Sequence, residues 1–413
     1  MKESDRTFRV LTLNCWGLKY VSKHREARMQ EIGRRLAHEE SNNDIVCLQE
    51  VWVESDFNYI AECVSHLLPY AKFYYSGMLS GPGLAVLSKW PIVDASINSF
   101  TLNGRPSAFF RGDWYVGKSV VSAVIDHPHG RIHVLNAHLH APYGKGDAAY
   151  TCHRTAQAWD MARIAQRAVQ GECVLAMGDL NSVPGSLTYR LLDSIGSLSD
   201  SWVDSKGENT EDIGSMPPYD QIRRAGTTCD SRLNSWRETR RPDEAKRLDY
   251  IFYDKSRATV QDIEVAFIEP LEGIGSLSDH FAVRATYEMR DSRVIRAAPT
   301  VSELLDMYDG MLQLIEDYWP TARWQRTWRL AHFWTSIVVV VAAHIAVFWG
   351  ALDSRSYVGF ILMLVSTLVA VTGILDGLIG FLFGRHETRA LREFESEIRL
   401  AKRYANERAQ SKE

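Results

Sequence analysis

The stretch VLAMGDLNSVP, residues 174–184, is an apolar run that stops at two polar side chains two positions apart, Asp179 and Asn181. Residues 174–177 read as a buried strand. Asp179-Leu180-Asn181 then occupies a strand-to-helix turn, so the two polar groups point the same way. Helix capping by Asn181 or Ser182 ahead of Pro184 explains the same residues and is compatible with a catalytic role.

The pattern repeats outward in both directions. Towards the N-terminus, His138 ends the apolar run in LNAHLHA, Glu50 ends DIVCLQEVW and Asn14 ends LTLNCWG; towards the C-terminus, Asp279-His280 in SLSDHFAV precedes another strand. Taken singly, each has a bland reading: a surface glutamate, a turn asparagine, a structural histidine. Together they assemble a carboxylate for a divalent cation, carboxamides to hold oxygens and histidines to move protons, which is what phosphodiester hydrolysis requires. His138 and His140 flank Leu139 and are placed on one strand face. Asp249, inside the apolar run 248–253, would be expensive without a partner, and His280 is the candidate.

Strands are expected at 8–14, 45–48, 84–87, 120–125, 132–136, 174–177, 248–253 and 281–286. Helices are expected at 25–39, where Met29, Ile32 and Leu36 align, and around Phe57, Ile60, Val64 and Leu67. This alternation predicts an α/β fold of two packed sheets with helices outside. Residues 201–247 are polar, rich in breakers and read as a long functional loop. Gly144-Lys145-Gly146-Asp147 lacks the spacing of a nucleotide-binding loop.

The chain has 413 residues, 46% of them hydrophobic, and a formal charge of -4, which offers no broad attraction to a nucleic-acid backbone. Six cysteines (Cys15, Cys47, Cys63, Cys152, Cys173, Cys229) show no paired spacing and read as reduced and structural. The start, with Lys2, Glu3, Asp5 and Arg6 passing into a strand, shows no secretory signal.

Composition shifts near residue 330. Residues 330–350 and 358–383 are each close to the roughly 20 apolar residues that a membrane-crossing helix needs, and only 351–357 separate them, with one Arg and one Asp. They read as a transmembrane hairpin. Arg323, Arg326 and Arg329 before it and Arg385, Arg389 and Arg392 after it place the catalytic domain and both termini in the cytosol. The domain reading is therefore a catalytic unit at 1–290, an amphipathic juxtamembrane linker at 291–329 with Trp319, Trp324 and Trp328, the hairpin, and a C-terminal helix at 384–413. That last helix carries Leu391, Phe394, Ile398, Ala401 and Ala405 on one stripe, either solvated or docked on the catalytic unit. His344 and Asp376 fall within the spans and read as hairpin packing or as lipid or ion contacts.

The ordered motifs resemble the endonuclease/exonuclease/phosphatase superfamily over about residues 8–288. NCWGLKY, HLHAPY, the helix CHRTAQAW and the C-terminal hairpin make the chain similar to the neutral sphingomyelinase and inositol-phosphosphingolipid phospholipase C branch. The resemblance implies a four-layer sandwich of two packed mixed sheets flanked by helices. It implies Mg2+ at Glu50 with Asn14, Asp179 positioning water, Asn181 holding a phosphate oxygen, His138 stabilising developing charge, and His280 as general base oriented by Asp249. RGDWYVGKSV resembles the branch's Asp/Lys switch, here Asp113 and Lys118, associated with activation by anionic phospholipids; on its own the pair would be a surface ion pair. Thr228, Asp230 and Asn234 resemble its substrate loop, and NGRPSAFFRGDWYVGK leans towards the inositol-phosphosphingolipid type. The implied activity is hydrolysis of membrane phosphosphingolipids to ceramide and a phosphorylated head group, with no nucleic acid as partner and a homodimer left open. A phosphoinositide phosphatase, a nuclease and an inactive lipid-sensing scaffold remain as alternatives.

Overall fold

The computed structural model describes residues 6–38, 42–77, 80–290, 294, 298–352 and 356–410. Glu39 and the hairpin-loop residues Asp353 and Arg355 lie outside them. The first half runs β1 (Thr7–Asn14), α1 (Arg25–Ala37), β2 (Ile45–Gln49), α2 (Glu54–Val64), β3 (Tyr70–Phe73), β4 (Ala85–Ser88), β5 (Ile92–Ser99), α3 (Asp113–Val116), β6 (Ser119–Ile125) and β7 (Ile132–His138). It continues through α4 (Thr151–Ala168), β8 (Cys173–Asp179), α5 (Leu187–Ser194), β9 (Ser199–Asp200), α6 (Ser201–Lys206), α7 (Pro218–Ala225), β10 (Asp249–Tyr253), β11 (Ala258–Ala266) and β12 (Ala282–Met289).

These strands form two six-stranded sheets, ordered β11-β12-β1-β2-β4-β3 and β5-β6-β7-β8-β10-β9. Both are mixed, because β1 and β2 run parallel in one and β7 and β8 run parallel in the other, amid antiparallel neighbours. β2 and β8 are buried along their whole length, which is why they read as unbroken apolar runs rather than alternating ones. Val10, Cys47, Val121, Val134, Leu175, Ile251 and Val283 fill the space between the sheets. Met29, Ile32, Phe57 and Ile60 of α1 and α2 cover the first sheet from outside, giving a helix, sheet, sheet, helix stack.

The fourth layer holds more than expected. α8 (Val301–Leu352) is one helix of 52 residues that carries both the amphipathic segment and the first candidate span. α9 (Ser356–Leu378) passes through a wide turn at Ile379–Phe383 into α10 (Gly384–Gln410). Met307, Tyr308, Met311, Ile315 and Tyr318 of α8 join Leu391, Phe394, Ile398 and Ala405 of α10 and Ala156, Trp159 and Ala162 of α4 in one apolar cluster. The C-terminal stripe is therefore docked, not solvated. Farther along, Val338, Phe348, Phe360 and Leu368 face outward, and the two helices are long and apolar enough to cross a membrane. They pack closely where Gly373 and Gly377 face Ser336 and Phe333, positions at which a Cβ would fall 2.4 and 2.5 Å from the opposite side chain.

Two expectations are corrected. Residues 201–247 are not one loop: α6 and α7 break it, Asp200 capping the first through its carboxylate on Trp202 N at 2.9 Å. Ser186, not Asn181 or Ser182, caps α5, accepting from Tyr189 N at 3.4 Å. Asp376 pairs with Arg329 and, at 2.7 Å, with His332, so packing within the hairpin accounts for this carboxylate.

Candidate active site

The two parallel strand pairs end side by side. Asn14 lies opposite Gln49, whose neighbour is Glu50; His138 lies opposite Asp179, which is also opposite Asp249. The close spacing of β7 and β8 depends on Gly178, since a Cβ there would sit 2.0 Å from Ala137 O. Glu50 and Asn181 themselves adopt left-handed backbone at φ 55° and 48°, conformations that cost energy for residues with a Cβ and that concentrate where a side chain must be aimed.

Asn14 Nδ2 donates to Glu50 Oε1 at 3.1 Å and to Asp179 Oδ2 at 3.0 Å, while Asn14 Oδ1 accepts from Trp16 N at 3.0 Å. Asp179 Oδ1 accepts from Asn181 N at 2.8 Å, and Asn181 Nδ2 donates to Leu139 O at 3.1 Å. His138 Nε2 lies 3.5 Å from Asp179 and 3.9 Å from Glu50. On the other flank His280 Nδ1 lies 2.8 Å from Asp249 Oδ2, leaving Nε2 3.9 Å from Asp179. Asp179, Asp249 and His280 can bring ligand atoms within 4.8 Å of one another. The sequence-derived set Asn14, Glu50, His138, Asp179, Asn181, Asp249 and His280 thus meets in one place.

The electrostatics separate the two histidines. Burial, reinforced by Lys118, His280 and His140, holds His138 well below the usual histidine range, so it is a neutral ring. Burial also opposes charge on His280, but the Cys229 sulfur and the Asp249 and Asp179 carboxylates outweigh it and hold its proton well above that range. Burial raises the Asp179 carboxyl to about 7, with His280 opposing and Asp249 adding to the rise. Glu50 is raised by burial and by Asp279. No Lys or Arg lies within ion-pair distance of Glu50 or Asp179 among the described residues. Two carboxylates in a mostly buried cleft, with histidines beside them, fit a hard divalent cation to which Glu50 and Asp179 offer oxygens; Asn14 presents its NH2 to both carboxylates and would add its Oδ1, which accepts from Trp16 N, only with the amide turned over.

The remaining predicted residues support this centre from behind. Asp113 and Lys118 are 3.3 Å apart and both buried, so they form no surface pair; Lys118 Nζ also donates to Leu139 O at 2.9 Å and His138 O at 3.4 Å. His140 does not continue the strand that carries His138. β7 ends at His138, and His140 instead stacks on Tyr150 at 3.9 Å and approaches Asp113 at 3.9 Å. Thr228 Oγ1 accepts from Asp249 N at 3.2 Å and Leu248 N at 3.1 Å, fixing the strand that carries Asp249. Asn234 Nδ2 donates to Ser278 O at 2.8 Å, and Asp230 pairs with Arg240 at 3.1 Å and Lys246 at 3.4 Å.

Several contributors were not singled out from sequence. Gln49 Nε2 bridges the sheets to Asn136 Oδ1 at 2.8 Å, and its signal is a polar residue closing an otherwise apolar, fully buried strand. Arg28, wholly buried on α1, donates to Cys15 O, Trp16 O and Leu277 O and so ties the loop after β1 to the loop before His280. Tyr143 donates to Asp113, a contact without a local sequence signal.

The sequence profile of the Endonuclease/Exonuclease/phosphatase family matches residues 11–280. Inositol phosphosphingolipids phospholipase C of Saccharomyces cerevisiae is 39% identical over 96% of this chain and 91% of its own length. Human Sphingomyelin phosphodiesterase 2 is 36% identical over 69% of this chain and 65% of its own. Among solved structures, beta toxin from Staphylococcus aureus superposes with a TM-score of 0.51 at 20% identity, covering 67% of this chain and 99% of that one. SmcL superposes with a TM-score of 0.50 at 20% identity, over 68% and 99%. At that identity the two structures show the fold alone. The length and identity of the sequence matches go further: the chain belongs to the endonuclease/exonuclease/phosphatase family, in the branch that holds the inositol phosphosphingolipid phospholipases C and the neutral sphingomyelinases.

Proposed function

We propose that the chain is a magnesium-dependent phospholipase C that cleaves membrane phosphosphingolipids, inositol phosphosphingolipids or sphingomyelin, to ceramide and a phosphorylated head group. The observation that carries this reading is the Asp249-His280 pair at 2.8 Å, facing the Asp179 and Glu50 carboxylates at the strand ends of a domain whose helices continue into two apolar spans. His280 Nε2 takes the proton of a water that Asp179 orients towards phosphorus. Asp249 fixes the tautomer at Nδ1 and stabilises the imidazolium that forms. As the new P–O bond forms and the bond to the ceramide oxygen breaks, Asn181 holds a phosphate oxygen and the neutral His138 ring donates to the charge that develops. Glu50, with Asn14 once its amide is turned over, would hold magnesium, which would supply charge neutralisation of the phosphate.

Asp113 and Lys118 act as the switch through which anionic phospholipid activates the site. Lys118 grips the carbonyls of His138 and Leu139, so a shift of that pair moves catalytic backbone directly. Thr228, Asp230 and Asn234 belong to the loop that shapes head-group choice. Arginines at both ends of the hairpin support a cytosolic catalytic domain and cytosolic termini.

The test offers the purified full-length protein, in detergent with magnesium, labelled inositol phosphosphingolipid, sphingomyelin, a phosphoinositide and plasmid DNA. Ceramide released from one or both sphingolipids supports the reading. Inorganic phosphate from the phosphoinositide or nicked plasmid, without ceramide, assigns the chain to another chemistry of the superfamily, and no turnover of any substrate favours the scaffold.

A further inference from the structure

The segment between β5 and β6 places an uncovered aromatic tip beside the hairpin. Phe109 and Phe110 are 60% and 73% exposed, two large apolar rings side by side on the surface. The tip is tied to the membrane helices on both sides. Arg329, at the start of the first span, donates to Ser107 O at 2.9 Å, and Trp114 packs 4.6 Å from Phe383, at the end of the second. Trp324 and Trp328, both exposed, lie along the same junction.

Behind the aromatics the chemistry changes from apolar to cationic. A cavity of about 320 Å³ is lined by Arg105, Arg111 and Arg329 together with Phe110, Trp324 and Trp328. Arg105 is buried and donates to Asp147 O at 2.6 Å, and Arg329 pairs with Asp376, so among the described residues Arg111 is the arginine of this lining with no carboxylate at ion-pair distance. Aromatic rings outermost with guanidinium groups a layer behind match the profile of a bilayer surface, where acyl chains give way to phosphates.

We propose that residues 105–111 form a second bilayer contact, separate from the hairpin, in which Phe109 and Phe110 seat at the acyl boundary and Arg111 faces lipid phosphate. This rests on the reading of the two long helices as membrane spans. The contact lies a few residues from the catalytic centre. Arg111 stacks over Tyr143 with its guanidinium carbon 4.7 Å from the ring, Tyr143 donates to Asp113, and Asp113 holds Lys118 against the carbonyls of His138 and Leu139. Seating the tip in lipid therefore fixes the backbone that carries His138.

The experiment uses the full chain in phosphatidylcholine vesicles. Cys63 is the half-exposed cysteine and the other five are buried, so a C63S background leaves single introduced cysteines for a fluorophore. Label is placed at Phe110→Cys, at Ile345→Cys within the first span, and at Asp126→Cys in the β6–β7 turn, at the end of the sandwich away from the site. Quenching is measured with doxyl-labelled lipid and with aqueous iodide. The proposal expects positions 110 and 345 to be quenched by doxyl lipid and position 126 by iodide. Iodide quenching at 110 overturns it, and so does protection from both quenchers, which would mean that protein, such as a second copy, covers the tip. Loss of doxyl quenching at 345 instead overturns the spanning hairpin. In a second arm, F109S/F110S should weaken turnover of vesicle-borne substrate roughly tenfold through apparent KM and leave turnover of detergent-dispersed substrate unchanged. An equal loss on both substrates contradicts a role in bilayer contact.

Discussion

His280 is buried and keeps its proton above the usual histidine range because Cys229, Asp249 and Asp179 together outweigh the cost of burying a cation. A base must be neutral before it can accept a proton, so turnover should fall as pH drops through the His280 pKa. Replacing Asp249 with Asn removes a carboxylate that stabilises the imidazolium and leaves burial in place, which lowers that pKa. We expect Asp249→Asn to reduce kcat by about 10²- to 10⁴-fold and to move the acid limb of the pH–rate profile to lower pH. An acid limb that stays in place would mean that another group is titrating. The residues of this centre were legible in the sequence because each interrupts or ends an apolar run, and a polar side chain at a strand end has few places to point. Arg28 and Tyr143 were not, since their partners lie on other elements and their local surroundings resemble any surface helix or loop.

At the level of elements, legibility followed burial. β2 and β8 were readable as unbroken apolar runs, whereas β5 and β3 are edge strands with largely exposed residues, so their sequences carry no buried face to detect. β9 is only two residues long, and α7 rests on just two buried side chains, Gln221 and Ile222. The stripe on α10 was visible as a period, but which surface it meets is a long-range fact. Because Leu391 is fully buried in the cluster shared with α4 and α8, Leu391→Ala should destabilise the catalytic domain itself by about 2 to 5 kcal/mol. A thermal unfolding curve of the full chain that matches wild type would show that α10 is an appendage. The same junction contains an acid whose sign can be worked out. Burial raises the Asp160 carboxyl from 3.8 to about 6, partly offset by its bond from Thr101 N at 2.9 Å. The folded state therefore binds more protons than the unfolded one between those values, and stability is lost as pH rises from about 4 to 6. Asp160→Asn keeps an acceptor for Thr101 and removes the buried charge. It should raise stability by about 1 kcal/mol above pH 6, after discounting for partial exposure, and leave it unchanged near pH 4.

For the whole molecule, the strand-end centre and the two long helices form a continuous body, because α8 and α10 are at once the outer layer of the sandwich and the stems of the hairpin. With the two apolar helices as membrane spans, the proposed function has the catalytic domain take its substrate from the membrane plane. A net charge of -4 is then no handicap, since the site has no need to draw a polyanion from solution. The central claim is that Glu50 and His280 work together in metal-assisted cleavage of a sphingolipid phosphodiester. Its most direct test is ceramide release by the full chain reconstituted in vesicles, measured for wild type with magnesium and with chelator, and for Glu50→Ala and His280→Ala with magnesium, each confirmed as folded by its thermal transition. The account predicts release by wild type with magnesium alone and background in the other three cases; magnesium-independent release, or full activity of either folded variant, would contradict it.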